Sequence, residues 1–390
     1  MRILFDATPL QTGHRHRGVG TYTRNLLRAL IALDSKNEYR LIVHLNGGSS
    51  GAESPGLDPV FQSLPANVTL LHLPRPLLGR LTALASHQGH LPGLLAREKG
   101  DLFHSPGFVA ALSVPGVPRH SAMPMVVTLH DFIPLHVPAL FNNKAINRWW
   151  YDQQIRMARR ATTLICVSEA TRQDAISFMD VSPERCIVVP EGVDRTVFHP
   201  PAAEEPAQEP PYILFVGGDY RNKNRCAALA AFSRFCQATT LPHHMIMVGK
   251  DSRTDRQVQA KHPELDLARI RRKEQVSQES LARLYRQADV LLFPSTCEGF
   301  GLPVLEAMAS GTPVITSKLS SLPEVAGDAA LLVDPYDVDA LTTALVRVLG
   351  ETELANRLRT RGLRRAAAFS WQETARQTLD VYRRALFVHS

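Results

Sequence analysis

Short apolar runs rich in strand-forming residues alternate with amphipathic helical patterns along the whole chain. This alternation is typical of α/β proteins, in which helices cover parallel sheets. In the first half, the expected strands are 3–6, 41–45, 68–73, 102–104, 126–130, 164–167 and 187–189. The clearest helices there are 21–33 and 146–160, and Ser168 is placed to cap a further helix that begins at Glu169.

A proline-rich segment at 199–211 interrupts this pattern. Proline excludes helix, and the segment has little apolar surface to bury, so we interpret it as a linker. After it, the expected strands are 212–217, 245–248, 290–293, 314–316 and 330–333, and the expected helices are 338–349, 353–368 and 371–386. The sequence therefore predicts two α/β domains, 1–198 and 212–370, followed by a C-terminal helical segment at 371–390. A ligand is expected between the halves, because doubly wound sheets bind ligands at the carboxyl ends of their strands.

Composition limits the classes of protein to which the chain can belong. Its 390 residues suffice for two domains with their own cores. No segment reaches the roughly eighteen apolar residues of a membrane span, and no signal-peptide pattern precedes the first strand, so we expect a cytoplasmic protein. The five cysteines lack metal-type spacing and are interpreted as free thiols. The net charge of +7 favours an anionic partner, namely a nucleotide, a lipid-linked acceptor or a membrane surface. No nucleic-acid-binding motif accompanies that charge, so nucleic acid is not an expected partner.

The most informative motif carries two glutamates, Glu298 and Glu306, and joins a buried strand to a helix. Gly299 and Gly301 let the backbone approach a ligand, and Pro303 suits the first turn of a helix. The free N–H groups of such a helix start favour an anion. The carboxylates would repel a phosphate but accept hydrogen bonds from hydroxyls. The motif therefore predicts a ligand with both a diphosphate and polyol groups, as in a nucleotide sugar.

The run 294–315 resembles the signature of glycosyltransferase family 4, a family of retaining GT-B glycosyltransferases. The glutamates enclose Gly-Phe-Gly-Leu-Pro and are followed by Gly-Thr-Pro-Val, as in bacterial surface-polysaccharide mannosyltransferases. The resemblance covers nearly the whole chain. It implies a GT-B fold of two Rossmann-like doubly wound domains that face each other across a cleft, with the last helix crossing back to the first domain.

The same resemblance implies roles for the residues of the motif. Glu298 resembles the glutamate that holds the hydroxyls of the transferred sugar and is assigned as catalytic and donor-binding. Glu306 resembles the glutamate that holds the ribose. The other expected donor-binding residues of the motif are Gly299, Phe300, Gly301 and Leu302.

A second glycine-bearing segment follows the first strand. Gly18 and Gly20 let backbone amides approach a phosphate or a sugar, whereas a dinucleotide fingerprint would require a third glycine where Thr23 stands. In family 4 a glycine-rich loop touches the distal phosphate of the donor, and Gly18 and Gly20 are assigned that role; a plain turn before a helix is the alternative. The basic residues at 14–17 are either solvated or bind an acidic acceptor.

His130 lies at the carboxyl end of an expected strand, on the ligand side of a parallel sheet. It resembles the active-site histidine of the family, which contacts the transferred sugar, and is therefore assigned as catalytic. A structural histidine at a strand end is the alternative. Asp131 either orients this loop or meets the acceptor, and is not assigned as a base.

The turn after strand 212–217 supplies the cations that a diphosphate requires. Lys223 matches the phosphate-binding lysine of the family. Gly218 stands where many relatives have an arginine, so Arg221 either replaces that arginine or is an exposed basic residue. Lys250, at another strand end, is a further candidate near the nucleotide. The segment 269–277 is more polar than in relatives, which leaves the nucleobase open.

Together these features predict transfer of a sugar from a nucleoside-diphosphate donor to a hydroxyl acceptor, with the anomeric configuration retained. GDP-mannose is the expected donor on family habit, and the acceptor is a saccharide or lipid-linked saccharide in polysaccharide biosynthesis. No cofactor and no metal are expected, because GT-B enzymes typically need none and no suitable loop carries Asp-x-Asp. The alternatives are a nucleotide-sugar epimerase of the same architecture and a non-catalytic partner subunit of a biosynthetic complex.

Peripheral contact with the inner face of a membrane is an alternative that the sequence leaves open. The segment 75–84 mixes apolar and cationic residues. It either rests on an anionic membrane surface or forms a helix packed on its own sheet, and we favour the packed helix.

Overall fold

The computed structural model describes residues 1–11, 15, 18–44, 64–74, 79–107, 117–141, 145–202, 209–218, 220–249 and 265–389, of which 79–87 and 389 are described by their backbone alone. These residues form two compact units. Unit 1 comprises Met1–Pro134, Phe141–Gly192 and Trp371–Ser390, and unit 2 comprises Leu135–Leu140 and Val193–Ser370. The segment 199–211 is thus grouped with unit 2, and the C-terminal segment with unit 1. The side chains of 75–84 lie outside the described residues.

Unit 1 contains a parallel sheet and the helices that cover it. Its strands are β1 (Arg2–Asp6), β2 (Glu38–His44), β3 (Val68–Leu73), β4 (Leu102–Ser105), β5 (Met125–Leu129), β6 (Thr163–Cys166) and β7 (Cys186–Val188). Its longer described helices are α1 (Gly18–Leu33), α2 (Gly79–Glu98), α3 (Ala145–Ala158) and α4 (Glu169–Met179), together with the C-terminal helix Trp371–His389. Ser168 caps α4 as predicted, with its side chain accepting the N–H of Thr171.

Unit 2 repeats this architecture. Its strands are β8 (Tyr212–Val216), β9 (His244–Val248), β10 (Ile270–Lys273), β11 (Val290–Phe293), β12 (Val314–Ser317) and β13 (Leu331–Val333). Its described helices include α5 (Arg225–Ala238), α6 (Gln278–Gln287), α7 (Leu302–Ala309), α8 (Leu322–Ala326), α9 (Val338–Gly350) and α10 (Thr352–Ala366). We call the C-terminal helix of unit 1 α11 (Trp371–His389). A one-turn helix, Ile133–His136, lies at the boundary between the units.

The two sheets share one strand order over six strands, and the sheet of unit 1 has a seventh strand at one edge. The order is β3-β2-β1-β4-β5-β6-β7 in unit 1 and β10-β9-β8-β11-β12-β13 in unit 2, with every pairing parallel. The order reverses between β1 and β4 and again between β8 and β11. Each reversal is a topological switch point, where doubly wound sheets bind ligands. The predicted class, α/β with two Rossmann-like sheets, is confirmed.

Apolar burial explains why these runs become strands. Every residue of β4, β5 and β6 is buried, as is every residue of β11 and β12. Strands covered on both faces read as continuous hydrophobic runs, which is why the sequence located them well. Burying one such leucine or valine contributes about 1.5–3 kcal/mol, so each central strand is a large share of its unit's stability.

Helix α11 belongs to the core of unit 1. Trp371 meets Tyr22 of α1 edge-on, with ring centroids 5.8 Å apart. Further along the helix, the hydroxyl of the fully buried Tyr382 lies 2.6 Å from Nδ1 of His104 in β4. The last helix therefore packs against the sheet and the first helix that the first half of the chain forms.

Two differences from the expectations concern the first helix and the segment 269–277. Helix α1 begins at Gly18 rather than at Thr21, so Gly18 and Gly20 lie in the first helical turn and not in a loop before it. The polar segment 269–277, left unassigned from the sequence, contains β10. Among the described residues, β10 is an edge strand that pairs with β9 alone, and its two arginines are exposed. Charged edges of this kind resist further strand pairing.

No helix in the described part of the chain is long and apolar enough to cross a membrane.

Candidate active site

The switch point of the unit 2 sheet brings together a cation and a carboxylate from two loops. Lys223 follows β8 through a short turn, and Glu298 follows β11. Lys223 Nζ lies 2.6 Å from Glu298 Oε1, and the two side chains are only 19% and 10% exposed. The ammonium also lies 5.0 Å from the ring centroid of Phe293, a favourable cation–π distance. Two predicted donor-binding residues, 75 positions apart in the chain, therefore meet at one largely buried place.

Hydrogen bonds fix these two loops against each other. The side-chain amide of Asn222 donates to the Cys297 carbonyl at 3.0 Å, and the Thr296 N–H donates to the Asn222 carbonyl at 2.7 Å. Ser295 Oγ lies 2.5 Å from Glu298 Oε1 and 2.7 Å from the Asn222 carbonyl. Leaving one buried polar group of this kind unpaired costs about 1–3 kcal/mol. The loops therefore hold the charged pair in place before any ligand binds.

The backbone between the two glutamates forms a turn and then a helix, as the sequence predicts. Helix α7 begins at Leu302, has Pro303 in its first turn and has Gly301 as its N-cap residue, with φ 123°. A Cβ atom at Gly301 would lie 2.8 Å from Leu322 Cδ2. This φ is also one that side-chain-bearing residues rarely adopt, so position 301 requires glycine.

Two predicted donor contacts in this turn are buried. The ring of Phe300 packs edge-on against Phe369, with centroids 5.9 Å apart, and Gly299 is buried beside it. The Phe300 ring therefore stabilises unit 2, and we expect a donor to meet the backbone of the turn rather than the ring.

A pair of serines after β12 organises the same turn and was missed from the sequence. Ser320 Oγ lies 3.1 Å from the Glu298 nitrogen and 2.6 Å from its carbonyl oxygen. Ser321 Oγ lies 2.7 Å from the Phe300 carbonyl oxygen. Ser320 has φ 58°, which is uncommon for a residue with a side chain and places it in the left-handed region. The one available signal was a Ser-Ser-Leu-Pro sequence at a helix start.

Glu306 projects from α7 next to a buried tyrosine. Burial raises the pKa of the Tyr285 phenol well above its ordinary value, and the negative charge of Glu306 raises it further. The phenol is therefore neutral at physiological pH. Tyr285 comes from α6, a helix that no sequence motif connects with the site.

In unit 1 the predicted phosphate-contacting glycines occupy the start of α1. Gly18 is exposed and has open space around it, whereas Gly20 is buried. Of the basic residues before them, Arg15 is described and accepts a hydrogen bond at its carbonyl from Arg24 at 3.1 Å; positions 14, 16 and 17 lie outside the described residues. The first turn of α1 is thus open at Gly18 and closed at Gly20.

His130 directly follows β5 and has partners at both ring nitrogens. Its Nδ1 lies 3.2 Å from Oε1 of Glu191, and its Nε2 lies 2.8 Å from the carbonyl oxygen of Pro106. Asp131 accepts the backbone N–H of Ile133 at 3.0 Å, so it orients its own loop, one of the two roles expected for it. Glu191 was missed, because nothing local in the sequence links it to His130.

The remaining candidates are less closely tied to these groups. Arg221 is exposed at the start of the turn that carries Lys223. Lys250 lies outside the described residues. Within the described ranges, no three His, Cys, Asp or Glu side chains gather in a way that could hold a metal ion.

Two family models match the chain in succession. One, described as Glycosyltransferase Family 4, matches residues 16–197, and the other, described as Glycosyl transferases group 1, matches residues 200–365. The chain belongs to glycosyltransferase family 4. The family and its named relatives make it a hexosyltransferase-type enzyme.

Two of the named relatives are mannosyltransferases. MMP alpha-(1->4)-mannosyltransferase from Mycolicibacterium hassiacum is 35% identical over a segment covering 67% of this chain and 66% of that protein. O-antigen chain mannosyltransferase B from Escherichia coli is 28% identical over 98% of this chain and 100% of the relative. Among solved structures, sucrose-phosphate synthase from Thermosynechococcus elongatus aligns over 100% of both chains with a TM-score of 0.73 at 24% identity, which establishes the shared GT-B fold.

Proposed function

We propose that this family 4 enzyme transfers mannose from GDP-mannose to a hydroxyl of a saccharide or lipid-linked saccharide in polysaccharide biosynthesis, with retention of configuration. The observation that carries the proposal is the meeting of Lys223 and Glu298 at the unit 2 switch point. A cation suits a diphosphate, and an adjacent carboxylate suits sugar hydroxyls. A nucleotide sugar is the ligand class that needs both in one place.

The chemistry follows from where charge develops. As the glycosidic bond breaks, negative charge builds on the departing nucleoside diphosphate. The Lys223 ammonium and the amides at the start of α7 are held in position to stabilise that charge. Glu298 accepts hydrogen bonds from the hydroxyls of the sugar. Glu306, which lies about one turn into α7, accepts hydrogen bonds from the hydroxyls of the ribose.

Donor binding then changes the partner of Lys223. With Lys223 and Glu298 only 2.6 Å apart, a diphosphate near the ammonium replaces part of its contact with the carboxylate. Glu298 becomes available for the sugar hydroxyls at the same moment. The acceptor oxygen bonds to the anomeric carbon from the face that the diphosphate leaves, and the departing phosphate takes the proton of the acceptor hydroxyl. Retention therefore requires no protein nucleophile.

Mannose is proposed from the relatives, both of which are named as mannosyltransferases. Guanosine rests on family habit, since the nucleobase pocket has no residue assigned from this chain. The acceptor is proposed as a saccharide of a growing surface polysaccharide, as the O-antigen relative suggests. We favour sugar transfer over an epimerase or a non-catalytic partner subunit, because Lys223, Glu298 and Glu306 are all present.

A donor screen tests this proposal. The purified chain is incubated with GDP- and UDP-sugars and a mannan-type oligosaccharide acceptor, and nucleoside diphosphate release and product mass are followed. We expect GDP release with a gain of one hexose only when donor and acceptor are both present. Conversion of the donor to an epimer, or no turnover with any donor, would overturn sugar transfer; turnover with a UDP-sugar alone would overturn the donor.

A further inference from the structure

His130 lies between two hydrogen-bond acceptors. A backbone carbonyl cannot donate, so the contact of 2.8 Å between Nε2 and the Pro106 oxygen requires a proton on Nε2. The other nitrogen, Nδ1, faces a carboxylate oxygen of Glu191 at 3.2 Å. A carboxylic acid is normally ionised well below the pH at which imidazole loses its proton, so a proton shared by this pair belongs on the ring. Both nitrogens of His130 then act as donors.

The surroundings favour this arrangement and hold the ring still. The side chains of His130 and Glu191 are 11% and 5% exposed. Tyr22 meets the ring edge-on, with centroids 4.7 Å apart and planes at 85°. On the other side, a Cβ at Gly107 would lie 2.7 Å from His130 Cδ2, so only a glycine lets the chain pass there.

Two further titratable groups near the ring, His104 and Tyr22, are neutral. Burial lowers the pKa of His104 to about 3, and the charge of His130 lowers it as well, so His104 is neutral at physiological pH. Burial likewise keeps the Tyr22 phenol neutral by raising its pKa. Glu191 and Asp131 are the acidic groups that act on His130.

We propose that Glu191 is a positioning residue that, together with the Pro106 carbonyl, holds His130 as a fixed imidazolium whose ring nitrogens cannot accept a proton. The role of this charge in sugar transfer rests on the proposed function. His130 then supplies a preoriented positive charge at the carboxyl end of β5 and is not a general base.

The balance of forces on the ring agrees with this assignment. Burial by itself lowers the pKa of His130, but the hydrogen bond and charge of Glu191 oppose it. With the Pro106 carbonyl and the Asp131 charge, they raise the pKa above its ordinary value. Removing the negative charge of Glu191 would leave burial dominant, and the ring would lose its proton at lower pH.

The test uses the full chain with ¹⁵N-labelled histidine and no donor. The His130 signals are assigned by their loss in His130→Gln, and their shifts are followed against pH in the wild type, in Glu191→Gln and in Glu184→Gln, an exposed glutamate of the same unit that serves as control. We expect both ring nitrogens of the wild type to be protonated at pH 7. Glu191→Gln should lower the pKa of His130, while Glu184→Gln leaves it unchanged. A neutral single tautomer in the wild type at pH 7 would overturn the proposal, and that spectrum decides even if Glu191→Gln does not fold.

A pH profile of sugar transfer supplies the second readout. Glu191→Gln should approach the wild-type kcat at low pH and fall behind it by on the order of 10²-fold at high pH, because the ring is then neutral. An equal loss at every pH would indicate a structural role and refute the positioning role. If the wild type turns over no donor, the proposed function fails. The protonation of the His130 ring is measured without donor, so that experiment tests the present proposal independently.

Discussion

Replacing Lys223 by methionine separates the structural and functional roles of the charged pair. The substitution keeps most of the apolar stem but leaves Glu298 largely buried without its cation. Removing one partner of a fully buried pair costs about 3–5 kcal/mol. The side chains of this pair keep 19% and 10% of their exposure, and Ser295 Oγ stays 2.5 Å from the carboxylate, so we expect a smaller loss of about 1–3 kcal/mol.

The double variant Lys223→Met/Glu298→Gln makes this prediction sharp. Neutralising both partners removes the unpaired charge, so the free energy of unfolding should recover by about 1 kcal/mol or more relative to Lys223→Met. Sugar transfer should not recover, because the diphosphate has still lost its cation. We expect kcat/KM to stay on the order of 10²- to 10³-fold below that of the wild type in both variants.

Urea unfolding and nucleotide release measure the two effects. The control is Lys318→Met, a lysine after β12 whose ion pair with Asp334 at 3.1 Å is far more exposed, at 55% and 39%. Its unfolding free energy should change by less than about 1 kcal/mol. The reasoning would be refuted if Lys223→Met unfolded like the wild type, or if the double variant regained transfer.

Three further outcomes are expected. Glu306→Ala should stay folded by circular dichroism and lose on the order of 10²-fold in kcat/KM; near-normal turnover would remove Glu306 from the site. EDTA should leave the rate unchanged, and a large loss that Mg²⁺ restores would contradict a metal-free reaction. Because the pKa of His104 is lowered to about 3, the unfolded chain binds a proton below about pH 6.5 that the folded chain rejects. As the pH is lowered from 6.5 to 4, the free energy of unfolding should therefore fall, and it should fall less in His104→Gln than in the wild type. Identical pH dependence in the two proteins would contradict a neutral buried His104.

Local patterns predicted the fold because strands covered on both faces are largely apolar, although β4 and β12 also bury polar residues. The expected strands 68–73 and 290–293 coincide with β3 and β11, and most other strands differ at their ends by a few residues. The strand β10 was not predicted, because an edge strand buries few side chains and its sequence can therefore be mostly polar. The start of α1 at Gly18 was not predicted, because Gly18 and Gly20 are poor helix formers. The rest of the helix stabilises this first turn.

The chain by itself determined the motif around Glu298 and Glu306, since its glycines, its proline and its strand-to-helix transition are all local. Only the tertiary structure decided which groups meet. Lys223 reaches Glu298 across 75 positions, and His130 reaches Glu191 across 61. These residues meet because parallel strands bring loops from remote parts of the sequence to one edge of a sheet. Local sequence preferences do not determine which loops those are.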